Sequence, residues 1–190
     1  MTALTPANQL TLLRMFLIPA FVILVVYGHL GWALGVFMVA GITDALDGLI
    51  ARWSDQKTSL GAWLDPMADK LLLVTTFVVL TIPSIPLTNH LPLWLTVSVI
   101  SRDVVIIGVV AIVNLAVGPR TFRPSIWGKM TTAALILTSV IVMFFNYRNQ
   151  RSLLVDAAVW ISFALTAISA ADYFLRLRLL INEPPPPAST

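Results

Sequence analysis

The sequence predicts an all-α integral membrane protein of six transmembrane helices, with both termini on the cytoplasmic side. Three observations predict it. The 190 residues are 58% hydrophobic and only 11% charged, with a mean hydropathy of +0.89, more apolar surface than a soluble domain of this length can hide. Six apolar runs each approach the roughly 20 residues that cross a bilayer. Lys and Arg concentrate in alternate connections, as the positive-inside bias requires. Cysteine is absent, which excludes disulfides and thiolate metal sites. The net charge of +3 suggests no more than attraction to anionic headgroups, and no nucleic-acid partner is expected.

The spans are expected at 10–27, 31–50, 62–82, 91–115, 127–145 and 155–175. Helix one lacks the basic flank and clean small-residue cleavage site of a signal peptide, so it stays in the bundle. "YGHLG" separates it from helix two, and "RWSDQKTS" separates helix two from helix three. "IPSIPLTNHLP", "GPRTFRPS" and "NYRNQRS" mark the remaining breaks. Arg14, Arg52, Lys57, Arg120, Arg123, Lys129, Arg176 and Arg178 fall on the side of the N-terminus, against Arg148 and Arg151 on the other. No repeat divides the chain, so residues 1–182 read as one domain. Residues 183–190 read as an extended Pro-rich tail. The start "MTALTPANQ" is not Arg-rich, which favours a bacterial plasma (inner) membrane over a mitochondrial address.

Five of the nine acidic residues lie between Asp44 and Lys70. Asp44 and Asp47, three apart, share a face near the end of helix two, and Asp65 and Asp69, four apart, share a face early in helix three. A short connection makes the two helices antiparallel neighbours, so the two pairs can face each other at the cytoplasmic ends of helices two and three. Four bare carboxylates there would repel one another and desolvate at heavy cost, so they need cations. Hard oxygen donors in that number suit Mg²⁺, Mn²⁺ or Ca²⁺ rather than zinc, and can hold two ions. Gly48, Ala51 and Gly61 leave room for close approach on the same face. Arg52 stands one turn beyond Gly48, where a guanidinium can meet phosphate oxygens. Carboxylates, divalent metal and guanidinium together describe a site for a pyrophosphate-containing substrate. The plainer alternatives are an ion pathway, a proton relay, or Asp residues paired with Lys70 or Arg102. Two phased pairs at one membrane edge, not at the midplane, weigh against a transporter.

The pattern Asp44-x2-Asp47-Gly48-x2-Ala51-Arg52-x8-Gly61-x3-Asp65-x3-Asp69 resembles the complete motif of the CDP-alcohol phosphatidyltransferases, with eight matches over 26 positions. The six-helix layout resembles that family over nearly the whole chain. The resemblance implies that an acceptor hydroxyl attacks the lipid-linked phosphorus of CDP-diacylglycerol and CMP leaves. It implies Asp44, Asp47, Asp65 and Asp69 as ligands of two Mg²⁺ or Mn²⁺ ions, and Asp69 also as the general base. It implies that Gly48 and Arg52 contact the CDP part, within the small-residue slot of Ala51 and Gly61. It adds Thr58 from the loop, and Asn8 and Thr11 from "NQLT" at the start of helix one.

The acceptor must be read from the second half. Arg102 and Asp103 in "ISRDVVII" fall near the middle of helix four, where an Arg should face the bundle interior, paired or ligand-bound. Lys129 in "PSIWGKMTT" stands at the start of helix five, placed either to reach a substrate phosphate or to anchor the helix. Two branches are similar: bacterial phosphatidylglycerolphosphate synthases in "NQLTLLRMFLIP", and eukaryotic-type cardiolipin synthases in "LGAWLDPMADKLL", "ISRDVVII" and "RPSIWGKMTT". The first branch carries further cations for the dianionic glycerol 3-phosphate, where this chain has Val109, Val110 and Thr131. Phosphatidylglycerol, with one phosphodiester charge and two tails, is therefore the favoured acceptor over glycerol 3-phosphate. An intramembrane cation carrier or sensor on the same fold is the alternative from another class, and a degenerate binding subunit a third. The resemblance also implies a homodimer, although contact with membrane lipids explains an apolar outer face equally.

Overall fold

A computed structural model describes residues 6–53, 59–117 and 125–182, with side chains described over 9–43, 68, 70–109, 111–112, 115 and 125–175. Six helices follow one another: α1 (Pro6–Val26), α2 (Leu30–Trp53), α3 (Ser59–Thr81), α4 (Leu93–Val117), α5 (Ile126–Tyr147) and α6 (Leu153–Asn182). Each expected span falls on one of them. The ends run past the apolar runs where polar residues keep helical backbone, most clearly in α6. Among the described residues, Gln9–Val26, Ile126–Tyr147 and Leu153–Leu175 are long and apolar enough to cross a membrane by length and composition. Leu30–Thr43 and Lys70–Thr81 are shorter apolar stretches. Large apolar side chains stand exposed around the outside, among them Phe16, Trp32, Leu153, Trp160 and Phe174, more than a water-soluble surface usually shows.

The helices alternate in direction, as cross-contacts show. The Phe21 ring on α1 lies 6.0 Å from Phe37 on α2, and a Cβ on Gly31 would fall 2.8 Å from the Tyr147 ring. The start of α2 therefore rests on the end of α5, and a side chain at position 31 would make the Tyr147 ring shift. Thr81 and Thr96 share a hydrogen bond of 2.6 Å between α3 and α4. Along the α5–α6 seam, Thr138 bonds Ser162 at 2.8 Å and Thr131 donates to the Leu165 carbonyl at 2.9 Å. Hydroxyls that also satisfy their own helix make such seams without leaving a bare polar group. The sequence suggests α2 and α3 as direct neighbours. Among the described residues, α1 packs against both of them and forms their shared wall.

One end of the bundle, holding the α1–α2 and α5–α6 turns, is closed by two helix stops of one kind. Gly28 has φ of +76°, its N–H meets the Val25 carbonyl, and the His29 N–H reaches Leu24. Asn149 repeats this after α5 with φ of +50°, its N–H on Asn146 and the Gln150 N–H on Phe145. This is the left-handed cap that leaves no orphan carbonyls, with asparagine tolerated where glycine is usual. Asn146 is buried and latches the 82–92 connection, accepting from the Asn89 N–H at 2.7 Å and donating to its carbonyl at 2.9 Å. Asn146→Ala is expected to lower stability by about 2 kcal/mol, because both Asn89 backbone groups lose their partner. Thermal unfolding in detergent reads it, and an unchanged midpoint would remove the latch.

Between the ends the buried residues change character. The core around Phe21, Phe37, Phe77, Leu80, Val142 and Met143 is apolar. Towards the other end the buried side chains become Thr11, Arg14, Thr131, Thr166 and Ser169. Arg14, counted from sequence among the connection cations, is fully buried on α1 instead. Eight residues of helix precede it, so it belongs to the interior.

Candidate functional site

Helix register gathers the sequence-derived positions at this polar end. From the Phe21–Phe37 contact, seven residues back along α1 reach Arg14 and seven forward along α2 reach Asp44. At about 1.5 Å per residue both positions lie about 10 Å from the contact. Ten residues each way bring Thr11 level with Asp47. From the Gly31–Tyr147 contact, the same counting sets position 47 of α2 level with Thr131 of α5. Asp44, Asp47, Gly48, Ala51 and Arg52 occupy the last half of α2, while Gly61, Asp65 and Asp69 occupy the first half of α3. Their side chains lie outside the described residues, as does that of Asn8 on α1, and Thr58 lies outside them altogether. Thr11 is fully buried.

The described side chains form a polar cluster at the same level. Lys70, the residue after Asp69, bonds the Asp103 carboxylate from α3 to α4. Arg102 donates to the other Asp103 oxygen at 2.9 Å and to the Ser169 hydroxyl of α6 at 2.6 Å. Only 10% of the Arg102 side chain and 18% of Asp103 are exposed, against 46% of Lys70. The expectation that Arg102 faces the interior and is paired is met. Its Nε is buried with no hydrogen-bond partner.

The Arg102 guanidinium lies against the first turn of α5, where a Cβ on Gly128 would come within 3.4 Å of it. That turn is set by Ser125, whose hydroxyl accepts from the Gly128 N–H at 3.0 Å as an N-cap. Lys129 follows, exposed, with its N–H on the Ser125 carbonyl at 3.2 Å. The structure thus brings Arg102 and Lys129 to one helix start. Ser169, Gly128 and the Lys70–Asp103 link are additions that sequence reading did not supply. Arg14 carried a usable signal, a charge inside the apolar run "TLLRMFLIP". Ser169 carried none, since one serine in an apolar helix is ordinary.

Lys70, Arg102 and Asp103 sum to one positive charge, and Lys129 at the same helix start adds a second. Such a group can meet anionic phosphate oxygens through charge-assisted hydrogen bonds.

Comparison with known proteins adds the following. The family model described as CDP-alcohol phosphatidyltransferase matches residues 4–168. A human protein named cardiolipin synthase (CMP-forming) is 35% identical over 190 residues, covering 90% of this chain and 60% of its own length. The rat protein of the same name gives the same identity and coverage. A Mycobacterium tuberculosis protein named probable phosphatidylglycerophosphate synthase is 35% identical over 181 residues, covering 90% of this chain and 80% of its own. This chain thus spans about 60% of the length of the human and rat relatives.

Proposed function

The chain belongs to the CDP-alcohol phosphatidyltransferase family, and we propose that it transfers the phosphatidyl group of CDP-diacylglycerol to phosphatidylglycerol, forming cardiolipin and CMP. The observation that carries this reading is the spacing of eight residues, Asp44 to Asp69, on the last half of α2 and the first half of α3. It is read as a six-span, single-domain protein of the bacterial inner membrane, with both termini and the site on the cytoplasmic side, the tail after residue 182 extended, and the chain paired as a homodimer.

In this reading Asp44, Asp47, Asp65 and Asp69 present only hard oxygen donors, which fit Mg²⁺ or Mn²⁺ and can hold two ions. When bound, these ions supply neutralising charge for the pyrophosphate and the departing CMP. The rest falls to the chain. Gly48, with Ala51 and Gly61, lets the nucleotide approach the helix backbone. Arg52 pairs with phosphate oxygens, while Asn8, Thr11 and Thr58 seat the nucleotide from α1 and the connection. Asp69 takes the proton of the acceptor hydroxyl as its oxygen bonds to the lipid-linked phosphorus and the bond to CMP breaks. Arg102 and Lys129 hold the acceptor phosphate.

The likeness to proteins named cardiolipin synthase (CMP-forming), and the uncharged Val109, Val110 and Thr131 where the other branch carries cations, support phosphatidylglycerol. The likeness to a phosphatidylglycerophosphate synthase supports glycerol 3-phosphate as the second reading. Purified protein with CDP-diacylglycerol and Mg²⁺ or Mn²⁺ is expected to release CMP with phosphatidylglycerol and not with glycerol 3-phosphate. Chelation should abolish release, and either ion should restore it. The opposite acceptor preference would replace the first reading by the second. Metal flux into proteoliposomes without CMP would indicate a carrier.

A further inference from the structure

We propose that Ser169 is a positioning residue for acceptor binding: it fixes the Arg102 guanidinium at the first turn of α5, where the acceptor phosphate is held. This rests on the role proposed above for Arg102. The seam between α5 and α6 shows how the placement arises. Thr138 bonds Ser162 at 2.8 Å, and further along Thr131 donates to the Leu165 carbonyl at 2.9 Å. The antiparallel register brings position 128 of α5 opposite Ser169 at the next step. There α5 has glycine rather than a hydroxyl, and a Cβ on it would fall 3.8 Å from the Ser169 Oγ. Arg102 reaches in from α4 instead and donates to Ser169 at 2.6 Å. A Ser or Thr at 128 would extend the seam. Glycine instead admits a guanidinium to a helix start, next to Lys129.

The hydroxyl is needed because Arg102 has elsewhere to go. Its side chain also lines a groove of about 470 Å³ between α4 and α6, walled by Val105, Ile106 and Phe163. An unanchored guanidinium can swing into that space. Asp103 holds it through Nη1 at 2.9 Å, and Ser169 holds it through Nη2. A single anchor lets a planar fork pivot, whereas anchors on both terminal nitrogens fix its plane. Asp103 is itself held by Lys70, and Ser169 is fully buried. The N–H groups not used by these anchors then point in one direction, as recognition of phosphate oxygens requires. Gly128 bounds the guanidinium on the α5 side, its Cβ position 3.4 Å from Nη2.

Steady-state kinetics on the purified protein separate positioning from packing. Ser169→Ala is expected to raise the KM for phosphatidylglycerol about tenfold, the lower end for a hydrogen bond to a charged group. Both kcat and the KM for CDP-diacylglycerol should hold, the pattern of lost binding to one substrate. Ser169→Thr keeps the hydroxyl and should restore the wild-type KM. Gly128→Ala presses on the same guanidinium from α5 and should raise the same KM. In the Arg102→Lys protein, whose ammonium has no plane to orient, adding Ser169→Ala should change the KM no further.

A lowered thermal midpoint with a wild-type KM in Ser169→Ala would make Ser169 a seam hydroxyl like Ser162 and would overturn the proposal. So would a KM effect that persists in full in the Arg102→Lys protein. If glycerol 3-phosphate releases CMP and phosphatidylglycerol does not, the acceptor reading fails, and the same rise in KM is read on glycerol 3-phosphate. If neither releases CMP, the proposed reaction fails, and calorimetric binding of short-chain phosphatidylglycerol decides. Weaker binding by Ser169→Ala sustains the positioning role, and unchanged or absent binding ends it.

Discussion

Replacing Asp69 by Asn is expected to lower CMP release by about 10²–10⁴-fold, the range for losing a positioned general base. The amide keeps the size of the carboxylate and one oxygen donor but cannot take the acceptor's proton. CDP-diacylglycerol binding, followed by isothermal calorimetry in detergent with Mg²⁺ present, should persist. That split between binding and turnover is the informative result, because a folding defect would lower both. The backbone supports the test: position 69 lies within α3, next to Lys70, whose ammonium is held by Asp103. Turnover retained in the variant would exclude Asp69 as the base.

The second large effect is expected at Arg102. Arg102→Ala removes the bonds to Asp103 and Ser169 and leaves a mostly buried carboxylate with Lys70 alone. Breaking a buried pair in this way costs about 3–5 kcal/mol, with the retained Lys70 placing it at the low end. Acceptor kcat/KM should fall about 10- to 150-fold, since one lost charge-assisted bond is worth about 1.5–3 kcal/mol. Arg102→Lys separates structure from recognition. Its single ammonium keeps the charge but cannot reach both Asp103 and Ser169 as the planar guanidinium does. Thermal stability should largely return while the KM for phosphatidylglycerol stays raised. A Lys variant with wild-type KM would make Arg102 a purely structural tie between α4 and α6.

Much of the fold was legible because lipid length and turn chemistry constrain it so tightly. The run ending before "YGHLG" had to stop near Val26, and the structure stops it there with Gly28 in the left-handed region. The end of α5 was legible as polar, but the use of Asn149 as its left-handed cap was not. Several polar residues in "NYRNQRS" could have taken that role. The burial of Arg14 was not legible, because a positive-inside reading counts a charge near a helix end without knowing which way the side chain faces. With α1 beginning at Pro6, the residue lies two turns inside. Arg102 was legible as an interior cation, since no Arg faces lipid at that depth cheaply.

The sequence by itself determined the six helices, the two phased carboxylate pairs and the family to which they belong. Those features are periodic or local: 3.6 residues per turn puts Asp44 with Asp47, and Asp65 with Asp69, whatever surrounds them. Tertiary structure alone decided that α1 is the shared wall of α2 and α3. It also decided that Lys70, Asp103, Arg102 and Ser169 join three helices, and that a groove opens between α4 and α6. These depend on which helix faces which across the bundle. Partners separated by 33 and 67 residues leave no periodic trace in one chain read alone.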